Sequence, residues 1–230
     1  MNALLGQSVY FGAVITLASY FAGVKLKKRF QSALCNPVLI SIIITIVFLL
    51  VCGIDYEIYS EGAKYISYLL TPATVCLAIP LYEQFHVLKQ NKLAILAGII
   101  AGSLTSMISV LVLCLVLKLS HTEYVTLLPK SVTTAISMPV ANELGGLGAV
   151  TAAVVIVTGI IGNVSTDAVC RLFKITEPVA KGVAIGTSSH AIGTARALEM
   201  GETEGAVSSL SIVAAGIFTV IAVNLFQLFL

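Results

Sequence analysis

Two stretches of this 230-residue chain carry the same polar residue types at the same spacing. Residues 133–145 read TTAISMPVANELG, and residues 189–201 read SHAIGTARALEMG. At one offset, Ala135, Ile136, Ala141, Glu143 and Gly145 fall on Ala191, Ile192, Ala197, Glu199 and Gly201. After a slip of one residue, Gly148-Ala149-Val150 falls on Gly205-Ala206-Val207, and Gly159 on Gly216. Both copies concentrate hydroxyls, glycines and ionisable groups between long apolar runs. Paired polar interruptions in two halves of a membrane chain point to a transporter binding site.

In the first copy, Pro129 and Pro139 bracket Lys130-Ser131-Val132-Thr133-Thr134. Pro139 has no N–H, so the carbonyl of Ala135 loses its helical donor. The hydroxyls of Thr133, Thr134 and Ser137 can satisfy such freed backbone, or Ser131, Thr133 and Thr134 can hold a ligand. Irregular backbone at membrane depth is tolerated only where protein or a watery cavity surrounds it.

In the second copy, Gly186 and Gly193 permit a chain break around Thr187, Ser188 and Ser189. A half-helix starting near Ser188 or Ser189 would turn its free N–H groups and positive dipole end towards an anion. Thr194 and Arg196 lie on that half-helix. A cation at membrane depth is costly and needs a partner or a cavity. Locked to Glu199 one turn away, Arg196 is structural; freed, its planar fork suits a carboxylate. His190 has an ordinary pKa near ~6.5 and can shuttle a proton, or it can stay neutral and bridge two helices. Glu143 and Glu199 end the two motifs at equivalent positions. They are either proton carriers or loop residues beside Glu202 and Glu204.

Nothing else in the chain assembles chemistry. Ser189-His190 has no motif-placed carboxylate to orient the imidazole, and no HExxH, P-loop or dinucleotide fingerprint occurs. The expectation is therefore no enzyme, no cofactor and no metal. The five cysteines show no metal-ligand spacing and read as small buried hydrophobes. The basic residues are scattered after the first cluster, which argues against nucleic acid.

The elements that position these motifs are membrane helices. Hydrophobic residues make up 58% of the chain and charged residues 10%, against roughly 25% charged in an average soluble domain. Segments are expected at about 6–24, 34–52, 64–85, 92–118, 125–146, 148–170, 178–201 and 205–229. The fold class is an all-α integral membrane protein with six to eight membrane segments. It is read as one domain over 1–230, with N-terminal helices in 1–64 and a repeat-containing core in 65–230. The cluster Lys25, Lys27, Lys28 and Arg29 faces the cytoplasm by the positive-inside bias. Counting onward, the basic loop with Arg171, Lys174 and Lys181 lands inside only if 125–146 dips in and returns. The count thus favours six crossings and two broken or re-entrant elements, 125–146 and 178–203, from opposite faces as an inverted pair. Segment 71–84 is a fainter echo, with Pro80 on Pro139 and Thr74 on Thr133. Gly98 and Gly102 form a GxxxG pattern, which packs helices within one chain or between chains.

At LPKSVTT (128–134), ANELGG (141–146), TPATVCLAIPLYEQ (71–84) and above all EPVAKGVAIGTSSHAIGTARALEMGETEGAVSSL (177–210), the chain resembles the LrgB/CidB family. The resemblance covers essentially the whole chain. Residues 135–139 depart from the usual pattern, in which a proline often follows the two threonines. Two roles are implied by the resemblance. Bacterial members were named as partners of a small holin-like membrane protein, LrgA or CidA, in control of murein hydrolase activity and lysis. A plastid relative moves glycolate and glycerate, and some bacterial members are linked to pyruvate uptake. The implied carrier takes small carboxylates of the pyruvate, glycolate, glycerate or lactate class across a bacterial-type plasma membrane. An LrgA/CidA-like partner is implied because this chain lacks that part, and a homo-oligomer is left open.

Overall fold

The structure is a computed structural model that describes residues 10–30 and 36–230. The starts of the expected segments 6–24 and 34–52, and Cys35, lie outside the described residues. Every regular element described is helical, and the chain divides into two compact units at Cys76/Leu77.

In the first unit, α1 (Phe11–Phe30), α2 (Pro37–Cys52), α3 (Tyr56–Ser67) and α4 (Leu70–Cys76) follow one another. Asn36 caps α2, its side-chain oxygen accepting from Val38 N at 2.8 Å and Leu39 N at 3.3 Å, with Pro37 as the first helical residue. Gly53 ends α2 at φ 60°, a conformation that a residue without Cβ adopts freely. The Thr16 hydroxyl donates to the Gly12 carbonyl (2.7 Å), so Tyr59 of α3 donates to Thr16 (2.8 Å) and ties α1 to α3.

The second unit holds α5 (Ala78–Glu83), α6 (Phe85–Gln90), α7 (Lys92–Leu117), α8 (His121–Leu127), α9 (Thr134–Glu143), α10 (Gly148–Leu172), α11 (Pro178–Met200) and α12 (Glu202–Phe226). A 3-10 turn, Gln227–Phe229, follows. Among the described residues, three helices are long and apolar enough to cross a membrane: α7, α10 and α12 with its following turn. The expected single segment 64–85 is instead the end of α3 followed by the short helices α4 and α5, with α6 beyond. Pro72 and Pro80 lack the N–H that would continue one helix through this stretch. The cysteine reading holds for Cys114, which is buried, and not for Cys76, which is exposed.

Two cores fix the direction of the long helices. Ile95 and Ile99 near the start of α7 pack with Val183, Val207 and Ala215. Met107, Val110 and Cys114 near its end pack with Tyr124, Val125, Leu128, Val223 and Phe226. α7 and α12 therefore run parallel. α10 runs the other way, because Thr151 at its start donates to Thr126 O (2.9 Å) and Asp167 near its end pairs with Arg196. Between helices in lipid the drive is close packing, which small residues permit. Gly186 is such a position: a Cβ there would lie 2.5 Å from the Ser208 carbonyl oxygen of α12.

Candidate functional site

Both polar motifs fold into hairpins. In the first, α8 and α9 are joined by the turn 128–133. Beyond α9, Leu147 N donates to Thr126 Oγ1 near the end of α8 at 2.9 Å. The Ser120-Glu123 capping box starts α8, and hydrogen bonds from the Ser120 backbone and hydroxyl hold the Glu123 carboxyl below its ordinary range. Buried Ser137 points its hydroxyl back at the carbonyls of Pro129 (2.7 Å), Thr133 (3.0 Å) and Val132 (3.2 Å), stitching the turn to α9.

In the second, α11 breaks at His190, whose φ of 42° and ψ of −140° are not helical. A Cβ on Gly193 would sit 3.0 Å from Ile185 Cγ2, a contact that eight residues of straight helix, about 12 Å, would forbid. The two halves fold back on each other. Lys181 near one end and Arg196 and Met200 near the other line one cavity of about 850 Å³, with Asp167, Arg171 and Lys174 of α10 and its following turn. The break falls at His190, one residue past the expected Ser188 or Ser189.

The two hairpins come in from opposite ends of the α7, α10 and α12 bundle and stop near its middle. Along α7 the neighbours run in order. Gly98 faces Val183 and Gly102 faces Thr187, both of the second hairpin, and then Ser106 meets Ser131 of the first. The GxxxG pair thus packs inside the chain. On α10, His190 Nε2 donates to Val155 O at 2.9 Å, and its ring and Ser189 lie against Gly159 and Gly162. On α12, the second hairpin reaches Ser211 and the first reaches Gly216 through Ile136.

The predicted site residues divide sharply. Thr187 and Ser188 are tied to carbonyls four residues back, at 2.8 and 2.7 Å, and Ser189 shares a 2.9 Å bond with Ser188. The Thr194 hydroxyl donates to His190 O (2.8 Å), so Ser208 donates to Thr194 (2.7 Å). The Arg196 fork is split between Asp167 (2.8 Å) and Glu199 (2.7 Å). Glu143 and Glu199 are exposed near the open ends of the hairpins, about 13–15 Å of helix from the tips. Thr133 and Thr134, by contrast, make no side-chain hydrogen bond among the described residues, and Thr133 does not cap α9. Ser131 bonds Ser106 at 2.6 Å.

Two participants were not singled out from the sequence. Asp167 holds Arg196 from 29 residues away. Lys130 is half-buried at the first tip, and its ammonium reaches only hydroxyls, Ser131 at 3.2 Å and Ser106 at 3.4 Å. A cation inside an apolar chain was the available signal for Lys130; Ser106, its neighbour, carries none.

The LrgB-like family pattern matches residues 16–229. Antiholin-like LrgB proteins of Bacillus cereus and Bacillus anthracis are each 36% identical over 222 residues, covering 96% of this chain and 96% of theirs. No solved structure matches. This multi-pass membrane protein belongs to the LrgB-like family.

Proposed function

We propose that the chain is an antiholin-like membrane protein that also carries a small carboxylate between its two polar hairpins. The antiholin-like side rests on the relatives, whose names speak for it more directly than for transport. In that role the chain acts with an LrgA/CidA-like membrane partner and affects murein hydrolase activity and lysis.

The carrier side rests on one observation: both hairpin tips stop at the middle of the same membrane-length helix, one turn apart at Gly102 and Ser106 of α7. A scaffold for assembly has no use for hydroxyls, an imidazole and a cation at that depth, where each is costly. In this reading the hairpins are an inverted pair, and alternating access comes from one part of the bundle moving against the other. Thr133 and Thr134 offer the open hydroxyls beside Ser131, the second tip supplies the facing wall, and Arg196 braces the hairpin ends. His190, Glu143 and Glu199 are the groups available for proton coupling.

The test is uptake of labelled pyruvate, glycolate, glycerate and lactate into proteoliposomes under a proton gradient, with and without an LrgA-like partner. Saturable uptake of at least one is expected. No flux with folded protein and partner present, while expression still changes the timing of lysis in cells, leaves the antiholin-like role alone.

A further inference from the structure

We infer that Lys130 is the charge partner of the transported small monocarboxylate, in a site completed by Ser106, Ser131 and the first turn of α9, with Ser103 one turn before Ser106 on α7. Three independent features meet there.

The first is an ammonium without a counter-ion. Lys64, Lys181 and Arg196 each have a carboxylate within 4 Å, whereas Lys130 has none among the described residues. Two hydroxyl oxygens accept from it and its third N–H is unused. A buried cation in this state is completed by an anion.

The second is an orphan donor. Ser103 Oγ is the one buried side-chain oxygen or nitrogen without a hydrogen-bond partner among the described residues, in a residue only 3% exposed. Ser103 lies on α7 three residues before Ser106, so it shares the face that meets Ser131 of the first tip.

The third is the start of α9. Its first N–H groups lack a side-chain cap, and the Thr133 and Thr134 hydroxyls are open. That end of a helix attracts negative charge. Around the tip stand one ammonium, two open hydroxyls and uncapped amides, with the orphan hydroxyl one helical turn along α7 from Ser106. Such a set complements one carboxylate. A second carboxylate on the same ligand would meet no second cation, because Arg196 is already held by Asp167 and Glu199.

This inference rests on the carrier reading, and binding separates the two. Purified full-length protein in nanodiscs is titrated with labelled pyruvate, with thermal unfolding followed in parallel. Lys130→Met should weaken binding at least about tenfold, the worth of a charge-assisted hydrogen bond, and Lys130→Arg should retain part of it. Ser103→Ala should leave the unfolding temperature unchanged or raise it, since it removes an unpaired hydroxyl, yet weaken binding severalfold. A hydroxyl with a purely structural role would give the opposite pair of signs. Succinate should compete poorly.

A folded Lys130→Met protein that binds and transports pyruvate like the parent overturns the assignment and leaves the carrier standing. If that variant does not fold, unchanged pyruvate affinity in Ser103→Ala overturns it instead. Succinate competing as well as pyruvate overturns the monocarboxylate class. Parent protein that neither binds nor moves any of the four acids overturns carrier and site together.

Discussion

Lys181→Met is expected to destabilise the protein by about 2–3 kcal/mol, one of the largest effects of a single substitution outside the hairpin tips. Lys181 lies in the first turn of α11, and its ammonium is 3.9 Å from the carboxylate of Glu204, whose side chain is only 10% exposed. Removing the cation strands a carboxylate where α11 packs on α12. Breaking a fully buried pair costs about 3–5 kcal/mol; the longer distance and the 21% exposure of Lys181 place this one below that range. The double variant Lys181→Met/Glu204→Gln should recover most of the loss, because no charge is left unpaired. Thermal unfolding of the four proteins of this cycle in one detergent measures all of this. A single variant as stable as the parent would mean that the pair does not hold the hairpin.

The second large effect inverts the usual order of helix substitutions. At an ordinary helical position, Gly costs about 1 kcal/mol more than Ala. At His190 the backbone sits at φ 42°, ψ −140°, which costs a residue with a Cβ about 1–3 kcal/mol and a glycine little. Either substitution loses the bond to the Val155 carbonyl and the packing on Gly159, together about 2–3 kcal/mol. His190→Gly regains part of that by relaxing the backbone, whereas His190→Ala does not. His190→Gly should therefore unfold at a higher temperature than His190→Ala. The reverse order would show that the break does not sit at His190. Uptake by His190→Gly across pH separates the remaining roles. A profile shaped like the parent's makes the imidazole a clasp for the tip, and a flattened profile makes it the proton carrier.

How much of this was legible in the sequence depends on the distance over which each feature acts. The polar motifs announce themselves because Ser, Thr, Gly and ionisable residues cannot sit in a long apolar run without a reason. The basic residues Arg171, Lys174 and Lys181 suggest that 125–146 returns to the face it left; in the structure Leu147 N bonds the Thr126 hydroxyl. Local breakers were misjudged by small amounts. The chain turns at His190 instead of Ser188 or Ser189, because what holds the turn is the Val155 carbonyl on another helix. Residues 64–85 have the length and apolarity of a span, yet Pro72 and Pro80 divide them.

The weight given to the two half-sites was also reversed by long-range contacts. The sequence leaves Arg196 open between anion ligand and structural brace because only its local partner, Glu199, is visible there; its distant partner, Asp167, is not. In the second motif, Thr187 and Ser188 bond back to carbonyls in their own turn, and Thr194 is held between the His190 carbonyl and Ser208. The unspent donors belong to the first motif and to α7, where Lys130 and Ser103 become notable only once Ser106 is known to meet Ser131.

The account stands or falls on whether the tip of the first hairpin reaches α7 at mid-depth and whether the anion passes there. One measurement tests both. In a background lacking the five native cysteines, Ser106→Cys and Ser131→Cys are introduced together, replacing hydroxyl oxygens 2.6 Å apart. The pair should close to a disulfide under mild oxidation. Uptake of labelled pyruvate into proteoliposomes should then fall to background, and reduction should restore it to the level of the same variant never oxidised. A pair that stays reduced in folded protein, or a cross-linked protein that still takes up pyruvate at the full rate, would contradict it.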